Sequence, residues 1–234
     1  IPSDGTGNQN CEEGDSLQIL VPIRGKYEVV ETICGDTIPK PVMSNGPKML
    51  VEFRGRYSGK GNRGFKAEYK FVENFGIITG QQLNNQECGF EFNSTKEKTG
   101  WFHSPNFPGI YPQNVECNYL FYGRQNERVA IKFSYFDVEG IQPCEESTAS
   151  DYVEFSNFMT TDRKFRRMCE TNKRGWDVKS DGKFFRVTFR SNDRFESTGF
   201  RASYQFHSEP PSTTETPAMS VSEQFNGKGS TMCK

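Results

Sequence analysis

The chain predicts an all-β protein, an antiparallel sandwich stapled by disulfides, with one complete copy of the fold and the C-terminal part of a second. Three observations carry this. Aromatic residues are abundant, with Phe 21 and Tyr 9, beside Gly 22 and Pro 12; rings fill pleated faces, while Gly and Pro set the geometry of tight turns. Apolar residues alternate with polar ones in Val129, Ile131, Phe133 and Tyr135, in Phe185, Val187 and Phe189, and in Phe200, Ala202, Tyr204 and Phe206, the period of a half-buried strand. The sequence also matches itself at an offset of about 135 residues, and a repeat of that kind outweighs any local motif. No segment reads as a capped amphipathic helix.

The repeat sets the domain organisation. Asp15, Leu17 and Ile19 fall on Asp151, Val153 and Phe155; Cys34 falls on Cys169. Met49, Val51 and Phe53 fall on Phe185, Val187 and Phe189, and Gly64 to Tyr69 fall on Gly199 to Tyr204. The earlier part of the second copy has no counterpart in the first. Residues 1–71 are therefore read as the C-terminal part of a truncated domain, 72–87 as a linker, and 88–206 as a complete domain. Residues 207–234, rich in Ser, Thr, Pro and Gly, cannot bury enough apolar surface to fold and read as a flexible tail. A sandwich lacking half its strands leaves apolar faces and edges uncovered, so 1–71 is expected to pack poorly. The start at Ile1, with no charged-then-apolar leader, reads as a processed protein or a fragment.

Composition narrows the function. Lys+Arg 29 against Asp+Glu 30 suggests neither a nucleic-acid partner nor a polybasic anchor. Apolar runs such as Leu17 to Ile23 fall well short of the roughly 18–20 residues that cross a bilayer, so no membrane insertion is expected within this sequence. The seven cysteines, at 11, 34, 88, 117, 144, 169 and 233, form no CxxC, and the two histidines, His103 and His207, make poor material for zinc. Three disulfides and a leftover thiol in an oxidising compartment is the alternative. Nearest-neighbour pairing, Cys11–Cys34, Cys88–Cys117 and Cys144–Cys169, would close loops of about 25–30 residues and contribute about 3–4 kcal/mol each in the chain-entropy model. That leaves Cys233 unpaired here, with its partner beyond the sequence or as a free or intermolecular thiol. Asn93-Ser94-Thr95 is a glycosylation sequon.

Gly59 to Gly64 satisfies G-x-G-x-x-G, but a dinucleotide site needs a helix N-terminus after the glycines. Here the run joins a strand ending near Phe53 to one starting at Phe65, and reads as a hairpin loop. Neither GxSxG nor HExxH occurs, and catalysis is not expected. Arg163 to Arg167 is read as a solvated strand face rather than a patch for an acidic partner or a processing site.

The run from Cys88 to Phe206, CGFEFNSTKEKTGWFHSPNFPGIYPQNVEC followed by RVAIKFSYFDVE, SDYVEFSN, KFFRVTFRSND and TGFRASYQF, resembles a CUB domain. The resemblance implies a jelly-roll-like antiparallel sandwich, located outside the cell, that binds proteins rather than transforming substrates. It also implies a calcium cage, confined to the second copy, and carries over to Tyr111, Glu139 and Asp151. At the fourth position this chain has Asn192, followed by Asp193; Asn keeps a carbonyl ligand but removes one negative charge. The spacing between Cys144 and Asp151 also exceeds the family's usual one. In the first copy Asp15 survives, but Gly55-Arg56 replaces the Ser-Asp pair, so no cage is expected there. Where a CUB cage exists, family precedent has one of its acids receive a basic side chain from the partner.

The text from Gly100 to Cys144 and from Ser150 to Phe158 more narrowly resembles the suppressor of lurcher protein type, CUB-repeat accessory subunits of ionotropic glutamate receptors. That resemblance implies a synaptic receptor accessory protein. The alternatives are the CUB region of a secreted protease, astacin-like or complement-type, or of an endocytic or matrix receptor.

Overall fold

A computed structural model describes residues 11–12, 14–56, 63–160, 167–172 and 175–208. In the first copy, β1 (Ser16–Ile23), β2 (Lys26–Ile33) and β3 (Leu50–Arg54) form a sheet in the order β2-β1-β3. The turn between β1 and β2 is Arg24-Gly25, with φ of 48° and 81°. Two successive left-handed residues give the hairpin turn whose twist matches its strands. Cys11 and Cys34 are bonded across this sheet's end.

The second copy is a complete sandwich. Its strands are β4 (Gln81–Gln82), β5 (Gly89–Asn93), β6 (Thr99–His103), β7 (Glu116–Tyr122), β8 (Glu127–Val138), β9 (Tyr152–Ser156), β10 (Glu170–Thr171), β11 (Trp176–Lys179), β12 (Phe184–Arg190) and β13 (Gly199–Ser208). One sheet runs β10-β8-β13-β6, with β11 also on β8; the other runs β4-β5-β7-β12-β9. Pairing among the named strands is antiparallel except for β5 with β7. The inner faces meet in an aromatic core that includes Phe102, Phe121, Phe133, Phe185, Phe189 and Phe200. The disulfides Cys88–Cys117 and Cys144–Cys169 lie at its margin. Burial of a Phe or Val side chain stabilises by about 1.5–3 kcal/mol, so this core dominates the stability of the fold.

Three sequence expectations meet a difference. Tyr135, read as inward, is 40% exposed while Phe136 is buried. The cause is a β-bulge: Arg201 lies opposite Tyr135 but Ala202 lies opposite Phe133, so Ser134 is an extra residue and the alternation changes phase beyond it. Within 72–87, read as a linker, β4 pairs with β5 and Ile77 is buried in the sandwich core. The expected strand at Phe65 is not formed; residues 63–72 carry no strand, and Phe65, Tyr69 and Phe71 are exposed. Its counterpart β13 lies between β8 and β6, and among the described residues the first copy has no equivalent of either, so the segment has no ladder to join there.

Of the remaining features, residues 57–62 of the glycine-rich run, 161–166 of the basic run, and 209–234 with Cys233 lie outside the described residues. His207, placed in the tail by composition, belongs to β13. Arg167 is not simply solvated: it pairs with Glu154 at 2.9 Å and its guanidinium sits 4.0 Å from the Tyr152 ring centroid.

Candidate functional site

The site lies at the end of the sandwich where β8 finishes, β9 starts and β12 finishes. Tyr111 comes from the loop between β6 and β7. That loop is shaped by Asn106, which has φ of 58° and whose amide donates to the Ile110 carbonyl at 2.7 Å. Phe189 packs edge-on against the Tyr111 ring, with centroids 5.0 Å apart. Gly199, at φ 77°, lets the chain pass over Ser104 and Tyr111 where a Cβ would collide with the serine hydroxyl.

Tyr111, Glu139 and Asp151 are brought together. The Tyr111 hydroxyl donates to Asp151 Oδ2 at 2.7 Å and accepts the Glu139 backbone N–H at 3.0 Å. Asp151 Oδ1 accepts the Asn192 backbone N–H at 2.6 Å. Asn192 is committed to the loop itself, its Nδ2 donating to Ala149 O at 2.7 Å and its Oδ1 accepting from Arg194 N at 2.8 Å. Asp193 is turned away to an ion pair with Arg24 of the first copy. The extra residues after Cys144 hold a short 3-10 turn, Glu146–Thr148, and Ser150 closes that loop by donating to Ile141 O.

The electrostatics favour a cation. Burial pushes the Asp151 carboxyl up to about 7, and the charges of Glu139 and Glu196 push the same way; the Asn192 N–H and Tyr111 hydroxyl hold it down in part. Burial likewise raises Glu196 to about 7, eased by a hydrogen bond from Gln113 and reinforced by the charge of Glu31. Tyr111 is pushed upward, first by burial and then by Asp151, and stays a neutral donor. Glu139 Oε2 is buried without a hydrogen-bond partner among the described residues, and a buried acceptor left unmatched is costly. Among the described residues no three acid, His or Cys side chains converge at metal-binding spacing. Calcium, which takes oxygen from carbonyls and hydroxyls too, fits Glu139 and Asp151 as charged ligands with Tyr111 and Asn192 in support, whereas Asp193 is engaged elsewhere.

Sequence reasoning missed Glu196 and Gln113, which come from loops with no repeating pattern. It also missed the first copy's approach to this end. Pro41 O accepts Ile110 N at 3.3 Å and Asn106 Nδ2 at 2.8 Å, and Val42 bridges to Ile110. The signal available was Gly25 after Arg24, which marks a turn but not its neighbour.

In the first copy Asp15 Oδ1 accepts the Arg56 N–H at 2.6 Å across 41 residues, the same separation as Asp151 to Asn192. At the sequon, Asn93 Oδ1 accepts the Thr95 hydroxyl at 2.8 Å.

The sequence matches the CUB domain family over residues 5–69 and 88–204. It is 28% identical over 196 residues to the dorsal-ventral patterning protein tolloid of Drosophila melanogaster, covering 83% of this chain and 16% of that protein. Neuropilin-1 of Gallus gallus is 26% identical over 195 residues, 76% of this chain and 20% of neuropilin-1. Cubilin of Homo sapiens is 27% identical over 167 residues, 71% of this chain and 4% of cubilin. The chain thus spans less than a quarter of the length of each of these relatives.

Proposed function

The chain belongs to the CUB domain family, and on that premise we propose that it is a protein-interaction module whose second copy presents a calcium-ordered end surface to a partner. CUB domains are non-catalytic modules, and the relatives are secreted or face the outside of the plasma membrane, which is also the place of this chain. Its disulfides suit that compartment. No helix among the described residues is long and apolar enough to cross a membrane.

The observation that carries the reading is the buried, unmatched Glu139 Oε2 beside the Asp151 carboxyl. Calcium would neutralise both acids and hold the loops of Tyr111, Glu139, Asp151 and Asn192 in one arrangement. Loops so ordered bind at a lower entropic cost, and an acid at the rim can receive a basic side chain from the partner. Isothermal calorimetry of the whole chain tests this: binding at up to millimolar calcium, lost in Asp151→Ala, is the expected result. No heat at millimolar calcium would leave a calcium-free scaffold.

For the partner, the resemblance of residues 100–144 and 150–158 to the suppressor of lurcher type supports an accessory subunit of ionotropic glutamate receptors at the synapse. Capture of a purified receptor extracellular region by this chain, weakened by removing calcium, is the corresponding test. A second reading, the CUB region of a secreted protease or of an endocytic or matrix receptor, draws support from the likeness to tolloid, neuropilin-1 and cubilin. Domains encoded beside this segment would separate the two. Calcium at this site, the disulfide roles and glycan at Asn93 belong to the same proposal.

A further inference from the structure

We propose that the β1–β2 turn of the first copy is an internal occupant of the second copy's end surface, so that a basic partner must displace Arg24 to bind there. The inference rests on the reading of that surface as the partner site. Arg24 stands at the tip of the hairpin and is ion-paired with Asp193, the residue next to Asn192, whose N–H holds Asp151. A guanidinium from the same chain therefore already lies on an acid of the end loops.

The contact is wider than one ion pair. Val21, Val30 and Met43 of the first copy line a small cavity with Tyr111, Gln113 and Glu196 of the second. Pro41 O takes two hydrogen bonds from the loop that carries Tyr111. Val21 and Ile23 are buried although among the described residues their sheet has no opposing sheet of its own, which fits a turn seated against the neighbouring loops. Beside the ion pair an open cleft of about 470 Å³ remains, bordered by Arg24, Tyr152, Arg190 and Asp193, through which a competing side chain can reach Asp193.

Such a contact is a two-state device. A partner that binds only the undocked form has its affinity reduced by the fraction of chains that are undocked. The Arg24 side chain is largely exposed, and exposed pairs are weak, so the docked form is one a modest ligand can displace.

The test uses the whole chain in calcium, with Arg24→Glu, Arg24→Lys and the control Lys132→Glu, which makes the same charge change on an exposed position of β8. Hydrogen exchange is followed at residues 109–114 and 190–197, and tetralysine is the binding probe. Arg24→Glu is expected to speed exchange in both segments and to raise tetralysine affinity about two- to fivefold, the range an exposed pair supports. Arg24→Lys should keep the wild-type behaviour, and Lys132→Glu should leave exchange unchanged and give a smaller gain in affinity. Exchange unchanged in Arg24→Glu overturns the proposal whatever tetralysine does. Faster exchange with tetralysine bound by neither form overturns the competition and places the failure in the basic-partner reading, since the docking contact itself has then been detected.

Discussion

The two copies carry the same strand pattern with opposite fates. Phe185, Val187 and Phe189 of β12 are 0% exposed, whereas their counterparts, Met49 just before β3 and Val51 and Phe53 on it, are 40%, 47% and 51% exposed. β12 lies between β7 and β9 and faces a second sheet; among the described residues β3 pairs only with β1. Alternation thus makes a strand in either setting, but the opposing sheet turns the strand into a core. The largest contrast that could break this comparison is a pair of truncations. Phe189→Ala should cost about 3–5 kcal/mol of stability in denaturant unfolding, and Phe53→Ala less than about 0.5 kcal/mol. Equal losses would mean that β3 is covered in solution.

The disulfides sharpen the same contrast. Removing Cys144–Cys169, which ties the loop beyond β8 to the segment entering β10, should cost about 2–5 kcal/mol. Cys11–Cys34 closes a similar loop, of sequence separation 23 against 25, but has only a three-stranded sheet to support. Circular dichroism melts of the two double Cys→Ser chains should show the main transition displaced in the first and nearly unmoved in the second.

What could be read in the residues follows from how local each feature is. Val129, Ile131 and Phe133 point inward as their alternation demands, because a pleat dictates the side of each residue from its neighbours. Tyr135 could not be placed, since the extra residue Ser134 shows only in the pairing with β13. Asp151 and Tyr111 were reachable through the family pattern. Glu196, Gln113 and the seat of Arg24 were not, because each owes its burial or partner to a loop distant in sequence. The strand expected at Phe65 failed for the complementary reason: its sequence is right, but a strand needs a neighbour.

A smaller effect concerns pH in the metal-free chain. Asp151 and Glu196 both stand at about 7 in the folded state, above the usual carboxylate range, so between about pH 4 and 7 the folded form holds more protons than the unfolded one. Stability must then fall as pH rises through that window and level off above it. In chelator, the thermal midpoint should drop by several degrees from pH 5 to pH 7.5. Asp151→Asn should flatten the slope, and calcium should raise the midpoint most at the upper end, where the acids are charged. A midpoint that rises with pH would show that these carboxyls are not held protonated.

The smallest expected effect bears on Asp15. Its Oδ1 takes the Arg56 N–H as Asp151 takes that of Asn192, so the turn is common to both copies, while Tyr111 has no counterpart in the first. If the aspartate in itself made the metal site, both copies would bind. If the site needs the converging tyrosine and glutamate, Asp15 is only a turn-holding acceptor, a role that Asn fills equally well with its carbonyl. Asp15→Asn should therefore leave the calorimetric calcium signal unchanged and stability within about 0.5 kcal/mol of wild type, whereas Asp151→Asn should weaken calcium binding. A loss of calcium heat in Asp15→Asn would move part of the metal chemistry into the first copy and remove the distinction between the two.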